Sequence, residues 1–122
     1  DRIEKLYWAE KNAVETTYAD LNIQFIGHFS HWFHWGVMLY SRFVIENPPD
    51  DAQEALRLHN AVWNTAMTAV LENGGMINEH HGVGLKLGRF MRRQYGDAWP
   101  FLLRLKDMMD PNHIMNPGKT GF

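Results

Sequence analysis

Two adjacent histidines, His80 and His81, lie in the segment EHHGVG at residues 79–84 and are the residues best suited to chemistry. Imidazole can take a proton near neutral pH, and glycine permits tight turns and close approach of the backbone to a ligand. The segment follows a predicted short strand, so its side chains emerge at a sheet end that can position them. The segment is therefore a candidate active site. The alternative is a polar turn whose histidines face solvent.

A second group of histidines lies among aromatic residues at 28–35, HFSHWFHW. Strand alternation places His28 and Ser30 on one face and His31 on the other. This arrangement does not bring three imidazoles together, whereas a zinc or iron site needs about three such ligands with groups that orient them. The favoured interpretation is aromatic core packing with hydrogen-bonded histidines. A site shared with residues 79–84 stays open if the strands are neighbours.

Three further polar side chains could contact a ligand. Tyr40 could donate a hydrogen bond or a proton to a substrate oxygen, and Arg42, on the same strand face, could pair with an anionic substrate group. Lys119, in the tail NPGKTGF, offers a point charge to a phosphate. The alternatives are a half-buried packing tyrosine, a solvated arginine and a surface coil.

Composition excludes several classes of protein. The 122 residues are 45% hydrophobic and 21% charged, as in one soluble globular domain or part of one. The net charge of −2 lacks the excess of basic residues that is typical of nucleic-acid-binding proteins. No apolar stretch reaches the length of a membrane span. The absence of cysteine excludes disulfides, thiolate metal sites and thiol catalysis. We expect a cytoplasmic protein with a small-molecule substrate; a homodimer stays open.

Patterning predicts an α+β fold with helices packed on one antiparallel or mixed sheet. The predicted elements are a helix over 1–21, strands over 23–31 and 35–45, a helix over 50–73, a strand over 76–79, and helices over 87–95 and 97–110. Asp50 and Asp97 are the predicted helix caps, and Gly74 ends the long helix. A right-handed crossover would add strand 76–79 to the same sheet.

Two motifs in order resemble the C-terminal domain of FAD-linked oxidases. These are GG-x-I-x-EHHGVG at residues 74–84 and LK-x-x-x-DPN-x-I-x-NPGK at residues 105–119. The superfamily includes vanillyl-alcohol oxidase, D-lactate and glycolate dehydrogenases, and alkylglycerone-phosphate synthase. The match covers about the last fifty residues well and the preceding strand loosely.

The resemblance implies a two-domain flavoenzyme whose N-terminal domain holds FAD and whose C-terminal domain covers the isoalloxazine and binds substrate. Residues 1–122 would be the C-terminal part of that substrate domain, which is also called the cap domain. They would form a portion of a ferredoxin-like fold. Because no glycine-rich pyrophosphate loop is present, the FAD-binding domain would lie upstream or act in trans.

The implied activity is FAD-dependent oxidation of a small alcohol, phenol or 2-hydroxy acid, with hydride transfer to flavin. One alternative is a non-redox flavin transferase of the alkylglycerone-phosphate-synthase type. Another is an interaction module without chemistry. Of these three, we expect FAD-dependent oxidation.

The resemblance also implies roles for individual residues. Aligned on the glycines that follow, His81 takes the place of the catalytic base and His80 that of a metal ligand. Tyr40 aligns, through Gly36, with the catalytic tyrosine of alkylglycerone-phosphate synthase. The motif HHGVG fits that enzyme better than the metal-dependent members.

Metal-dependent members supply two histidines seven positions apart on an upstream strand, but Met38 stands seven positions after His31. We therefore predict no metal. The expected catalytic residues are His81, His80 and Tyr40; the expected substrate-binding residues are Arg42, His31 and Glu79; and the expected cofactor-binding residues are Asn116 and Lys119.

Overall fold

The helices and strands follow the apolar periodicity and β propensity of the sequence. The computed structural model describes residues 2–77 and 80–122. Its elements are α1 (Ile3–Thr17), β1 (Gln24–Phe33), β2 (Gly36–Val44), α2 (Ala52–Glu72), α3 (Met91–Tyr95) and α4 (Trp99–Met109). The predicted α+β class is confirmed. The chain forms two compact units, a first unit of Asp1–Gly75 and a second unit of Met76–Phe122.

The strands β1 and β2 form an antiparallel hairpin on which α1 packs. Phe25 and Phe43 are paired across the strands, and the ring of Tyr7 on α1 lies 5.1 Å from that of Phe25. Gly27 lets the helix approach closely, because a Cβ there would lie 3.0 Å from the Tyr7 ring. Odd-numbered positions of β2 therefore face α1, since side chains alternate along a strand.

The long helix α2 packs on α1 through a stripe of small and apolar residues. The buried side chains of α2 are Val62, Ala66, Met67, Ala69 and Val70. Its N-cap is Asp51 and not the predicted Asp50: the Asp51 carboxylate accepts from the backbone N–H groups of Gln53 and Glu54 at 3.1 and 2.9 Å. Gly74, with φ of +75°, follows its C-terminus as predicted.

Two other local predictions were wrong. Asp97 does not cap α4, because a 3₁₀ turn at Gly96–Ala98 leads into that helix and the Trp99 N–H already donates to the Gly96 carbonyl. The predicted strand over 76–79 is not found at Met76 and Ile77; the Ile77 N–H donates to the Gln94 side chain at 3.0 Å. Asn78 and Glu79 lie outside the described residues.

The C-terminal tail closes the second unit through backbone contacts. The Thr120 N–H donates to the Gly84 carbonyl at 2.9 Å, and a Cβ on Gly121 would lie 2.5 Å from the Gly88 oxygen. The buried Asp110 accepts from the Ile114 and Met115 N–H groups at 3.0 and 2.9 Å. The tail is therefore held at both ends.

Lys106 completes the anchor at Asp110. Its ammonium group pairs with the Asp110 carboxylate and also donates to the Met115 carbonyl at 2.7 Å. The hydrogen bond from Lys106 holds the pKa of Asp110 below its ordinary value, with help from the backbone donors.

None of the described helices is both long and apolar enough to span a membrane.

Glu10 on α1 is a buried carboxyl at the helix–sheet interface, only 2% exposed. Ser41 on β2 donates its hydroxyl hydrogen bond to Glu10 Oε2 at 2.6 Å, and Oε1 has no hydrogen-bond partner among the residues described. Burial raises the pKa of Glu10 from 4.5 to about 7, although the Ser41 hydrogen bond opposes the rise.

This raised pKa predicts a pH-dependent free energy of unfolding. The folded state keeps the Glu10 proton to a higher pH than the unfolded state does. The part of the free energy of unfolding that comes from this proton is therefore complete below about pH 4.5 and is lost as pH rises through about 7. We expect a loss of about 3 kcal/mol from this group. Glu10→Gln, which is uncharged at every pH, should abolish that part of the slope in urea titrations. An identical slope in wild type and Glu10→Gln would contradict the prediction.

The close contact between the tail and Gly88 predicts that Gly121→Ala strongly lowers the free energy of unfolding. This residue has φ of +88° and no room for a Cβ beside Gly88, so we expect a loss of about 2–4 kcal/mol in the free energy of unfolding. Gly118→Ala is the matched control, because Gly118 has φ of +70° but open space around it. The control should lose only about 1 kcal/mol. Equal losses in urea titrations would show that the contact is unimportant.

Candidate active site

The hairpin face opposite α1 carries the predicted Tyr40 and Arg42. His28 is paired with Tyr40, and Ile26 is paired with Arg42, so these four side chains share one face. We call this face the open face; its residues are Gln24, Ile26, His28, Ser30, Met38, Tyr40, Arg42 and Val44. Ile26, His28 and Arg42 are exposed, and Tyr40 is half-buried.

Arg42 is oriented by its neighbour on the open face. Its guanidinium carbon lies 5.4 Å from the centroid of the Tyr40 ring. A cation over an aromatic face is attracted by the ring quadrupole and can keep its N–H groups for a ligand. The strand therefore presents a phenol hydroxyl and a guanidinium side by side.

His31 lies at a β-bulge, where the register shifts between Ser30 and Trp32. Its φ is +49°, its Nδ1 lies 3.3 Å from the Ser30 hydroxyl, and its ring stacks on Phe33 with centroids 6.5 Å apart. The extra residue reverses the alternation of β1, since Phe33 then pairs with Gly36, on the same face as Tyr40. The predicted strict alternation through this segment is therefore wrong.

The hairpin turn carries exposed aromatic side chains. Trp32 and Trp35 are 76% and 75% exposed, and the rings of Phe33 and Trp35 stack with centroids 4.6 Å apart. The predicted packing of this aromatic cluster into a core is therefore wrong within the part of the chain that the structure describes. Its residues lie at the end of a two-stranded hairpin, where burial needs a further covering layer.

The second unit holds the histidine segment. The rings of His80 and His81 have centroids 4.0 Å apart, and both residues are exposed. The following Gly82 and Gly84 have φ of +73° and +53°, which bend the chain as glycine permits. The predicted substrate residue Glu79 lies outside the described residues.

The predicted cofactor residues also lie in the second unit. The Asn116 carbonyl accepts from the Lys119 N–H at 3.1 Å, and Asn116 has φ of +50°. The neighbouring Thr120 is bonded to Gly84, so the tail is fixed beside the segment that carries the paired histidines. The structure therefore brings the two motifs of the second unit together.

The register makes two residues important that the sequence did not single out as site residues: it named His28 only as a member of the aromatic and histidine group, and it did not name Glu10. His28 lies opposite Tyr40, and Glu10 lies behind the strand, bonded to Ser41. No local pattern indicates the partner of either residue, because the bulge at His31 decides the pairing of His28 and the contact of Glu10 with Ser41 joins elements distant in sequence. Among the residues described, no three side chains of His, Asp or Glu are grouped as metal ligands.

Comparison with known proteins gives matches that cover most of the chain. The sequence model of the family "FAD linked oxidases, C-terminal domain" matches residues 7–120. The uncharacterized FAD-linked oxidoreductase YgcU of Escherichia coli (strain K12) is 30% identical over 121 residues, which cover 95% of this chain and 25% of that protein. No solved structure matches the chain significantly.

Two other relatives have named activities. An alkyldihydroxyacetonephosphate synthase of Trypanosoma brucei brucei is 29% identical over 93 residues, 75% of this chain and 15% of that protein. A probable mitochondrial D-lactate dehydrogenase of Danio rerio is 35% identical over 73 residues, 59% of this chain and 14% of that protein. The chain thus spans a quarter or less of these relatives. By the match over residues 7–120, the chain belongs to the C-terminal domain family of FAD-linked oxidases.

Proposed function

We propose that this chain is the substrate-facing part of an FAD-dependent oxidoreductase that oxidises a small alcohol, phenol or 2-hydroxy acid. The observation that carries the proposal is the open face, where Tyr40 is paired with His28 and stacked under Arg42. Support comes from family membership and from relatives named as D-lactate and D-2-hydroxyglutarate dehydrogenases. Such substrates have oxygen atoms that hydrogen-bond donors can orient.

The described residues fit a cover over a flavin better than a complete nucleotide site. The open face interleaves the apolar side chains Ile26 and Met38 with polar donors, which suits a flat ring system and a small polar substrate. Asn116 and Lys119 are the residues we assign to cofactor contacts. The sequence has no glycine-rich pyrophosphate loop, so the FAD-binding domain would be supplied upstream or in trans. When bound, FAD supplies the two-electron acceptor.

In this proposal the protein side chains handle the substrate oxygen and its proton. In the second unit, His81 takes the hydroxyl proton as general base and His80 orients the oxygen; in the first unit, Tyr40 is the further catalytic residue that we propose. Arg42, His31 and Glu79 contact the rest of the substrate. The closeness of the two imidazoles supports a joint role, since neighbouring rings can present one acceptor and one donor to the same oxygen.

The base assignment predicts the effect of His81→Ala in the FAD-loaded protein. Flavin reduction by substrate, followed by stopped-flow absorbance, should slow by about 10²–10⁴-fold, because general-base catalysis is lost. FAD should remain bound. His113→Ala is the matched control, since His113 is exposed in the same unit and outside the proposed site. Unchanged reduction in His81→Ala would remove His81 from the mechanism.

A non-redox transferase is a second candidate, favoured by the match to alkyldihydroxyacetonephosphate synthase. Oxidation of a hydroxylated substrate with reduction of an electron acceptor would support the oxidoreductase. Group exchange without net reduction of an acceptor supports the transferase. Protein that purifies without flavin absorbance and binds no added FAD would instead be an interaction module.

A further inference from the structure

We propose that Glu10 is a positioning residue for Tyr40 and that the Glu10 proton acts as a switch. While the carboxyl is protonated, β2 is held against α1; when it ionises, β2 loosens and Tyr40 loses its fixed place on the open face. The inference rests on the proposed function, in which Tyr40 is a catalytic residue. It adds a pH-dependent control that acts from behind the strand.

The helix α1 contacts each strand of the hairpin through one carboxylate. Glu15 accepts a hydrogen bond from the Phe25 backbone N–H on β1 at 3.2 Å. Glu10 accepts one from the Ser41 hydroxyl on β2 at 2.6 Å. The hydrogen bond from Lys11 holds the pKa of Glu15 below its ordinary value, so Glu15 stays ionised near neutral pH. Of the two contacts, the one to β2 is therefore the one that can change with protonation.

The surroundings of Glu10 suit a neutral carboxyl and not a carboxylate. The residue is 2% exposed, and its Oε1 has no hydrogen-bond partner among the described residues. A carboxylate in this place would be a buried charge with the Ser41 hydroxyl as its donor, which is costly without water. Ionisation therefore favours any displacement of β2 from α1 that admits water to the carboxylate.

The strand residues that face α1 offer Glu10 no charge. They are Phe25, Gly27 and Phe29 on β1 and Leu39, Ser41 and Phe43 on β2. The helix α2 turns an apolar face to α1. The charged and titratable side chains of α2, which are all exposed, are Glu54, Arg57, His59 and Glu72.

The other titratable groups of α1 have different surroundings from Glu10. The Tyr7 ring packs on Phe25, and the Tyr18 hydroxyl lies 3.1 Å from that of Thr65. Lys11 pairs with Glu15. The remaining charged side chains of the helix and its N-cap, which are exposed, are Arg2, Glu4 and Lys5. Burial and the Ser41 hydrogen bond thus account for the raised pKa of Glu10, without a charged neighbour.

The strand carries the change from Ser41 to Tyr40. The two residues are adjacent on β2 and point to opposite faces, Ser41 toward Glu10 and Tyr40 toward His28. A two-stranded hairpin is at best marginally stable without a layer packed on it, so β2 depends on α1 for its place. A displacement of β2 at Ser41 therefore moves the Tyr40 backbone as well.

The direction of the pH effect follows from the pKa of Glu10, which burial raises to about 7. The stability that the proton gives to the held strand is complete below about pH 4.5 and is lost as pH rises through about 7. Opening of β2, followed by amide hydrogen exchange corrected for the intrinsic rate, should increase by about 10- to 100-fold from about pH 5 to about pH 8. Glu10→Gln should remove this increase.

The first test follows Tyr40 directly in the FAD-loaded protein with ¹³C-labelled tyrosine. The chain has four tyrosines, and the ring resonance that Tyr40→Phe removes is that of Tyr40. Because His28 faces Tyr40, the titrations are made in a His28→Gln background. The Tyr40 resonance should titrate with a midpoint near pH 7 and should stay constant in Glu10→Gln, whose amide oxygen can accept the Ser41 hydrogen bond at every pH.

Two further variants complete this test. Glu4→Gln is the matched control, because it removes an exposed carboxylate from the same helix and should leave the Tyr40 titration unchanged. Ser41→Ala should move the midpoint to higher pH, since the Ser41 hydrogen bond lowers the pKa of Glu10. A Tyr40 resonance that is constant from about pH 5 to about pH 8, or that titrates equally in Glu10→Gln, would overturn the proposal.

A kinetic measurement separates positioning from a general effect on the fold. D-lactate is the probe, and the quantity is the rate of flavin reduction in Glu10→Gln divided by that in the wild type. The ratio should be near one at about pH 5 and rise to about 3- to 10-fold at about pH 8, because a displaced catalytic group is less effective. In a Tyr40→Phe background the ratio should stay near one. A rise that persists there would overturn the positioning role.

The two proposals fail in different ways. A constant Tyr40 resonance with normal flavin reduction would overturn the role of Glu10 and leave the oxidoreductase standing. Failure to reduce the flavin with D-lactate, with the Tyr40 titration intact, would count against 2-hydroxy-acid oxidation alone.

Discussion

The β-bulge between Ser30 and Trp32 determines which side chains the hairpin presents together. Beyond the bulge, Trp32 pairs with Val37; continued without a shift, that register would place His28 opposite Ser41. The one extra residue instead places His28 opposite Tyr40, on the face away from the helix. Because side chains alternate with a period of two, a one-residue shift exchanges the faces of a whole strand segment. The candidate site on the hairpin therefore depends on this irregularity.

Packing on the other face holds that register in place. The Tyr7 ring fills the space left by Gly27, and Glu10 accepts the hydrogen bond of Ser41 from behind the strand. A shift of β2 by one residue would bury Tyr40 or Arg42 against α1 and expose the apolar positions. The Glu10 carboxyl resists ionisation, because it is buried and its Oε1 has no hydrogen-bond partner among the described residues.

In the second unit, the DPN motif has a structural explanation. The Asp110 carboxylate receives two backbone N–H groups and the Lys106 ammonium, which fixes the turn that follows α4. The tail then returns to the histidine segment, where Thr120 bonds to Gly84. The spacing of the two motifs thus reflects the geometry of this closure as well as any chemistry at His80 and His81.

The sequence by itself determined the α+β class, the hairpin and long helix to within about two residues, and the family, because these follow from local periodicity, propensity and motif spacing. It misplaced the cap at Asp50, expected a strand at Ile77 and put His31 in a regular alternation. Only the tertiary structure decided the partner of His28 and the burial of Glu10. Both depend on register and packing between elements distant in sequence, and no local pattern encodes those contacts.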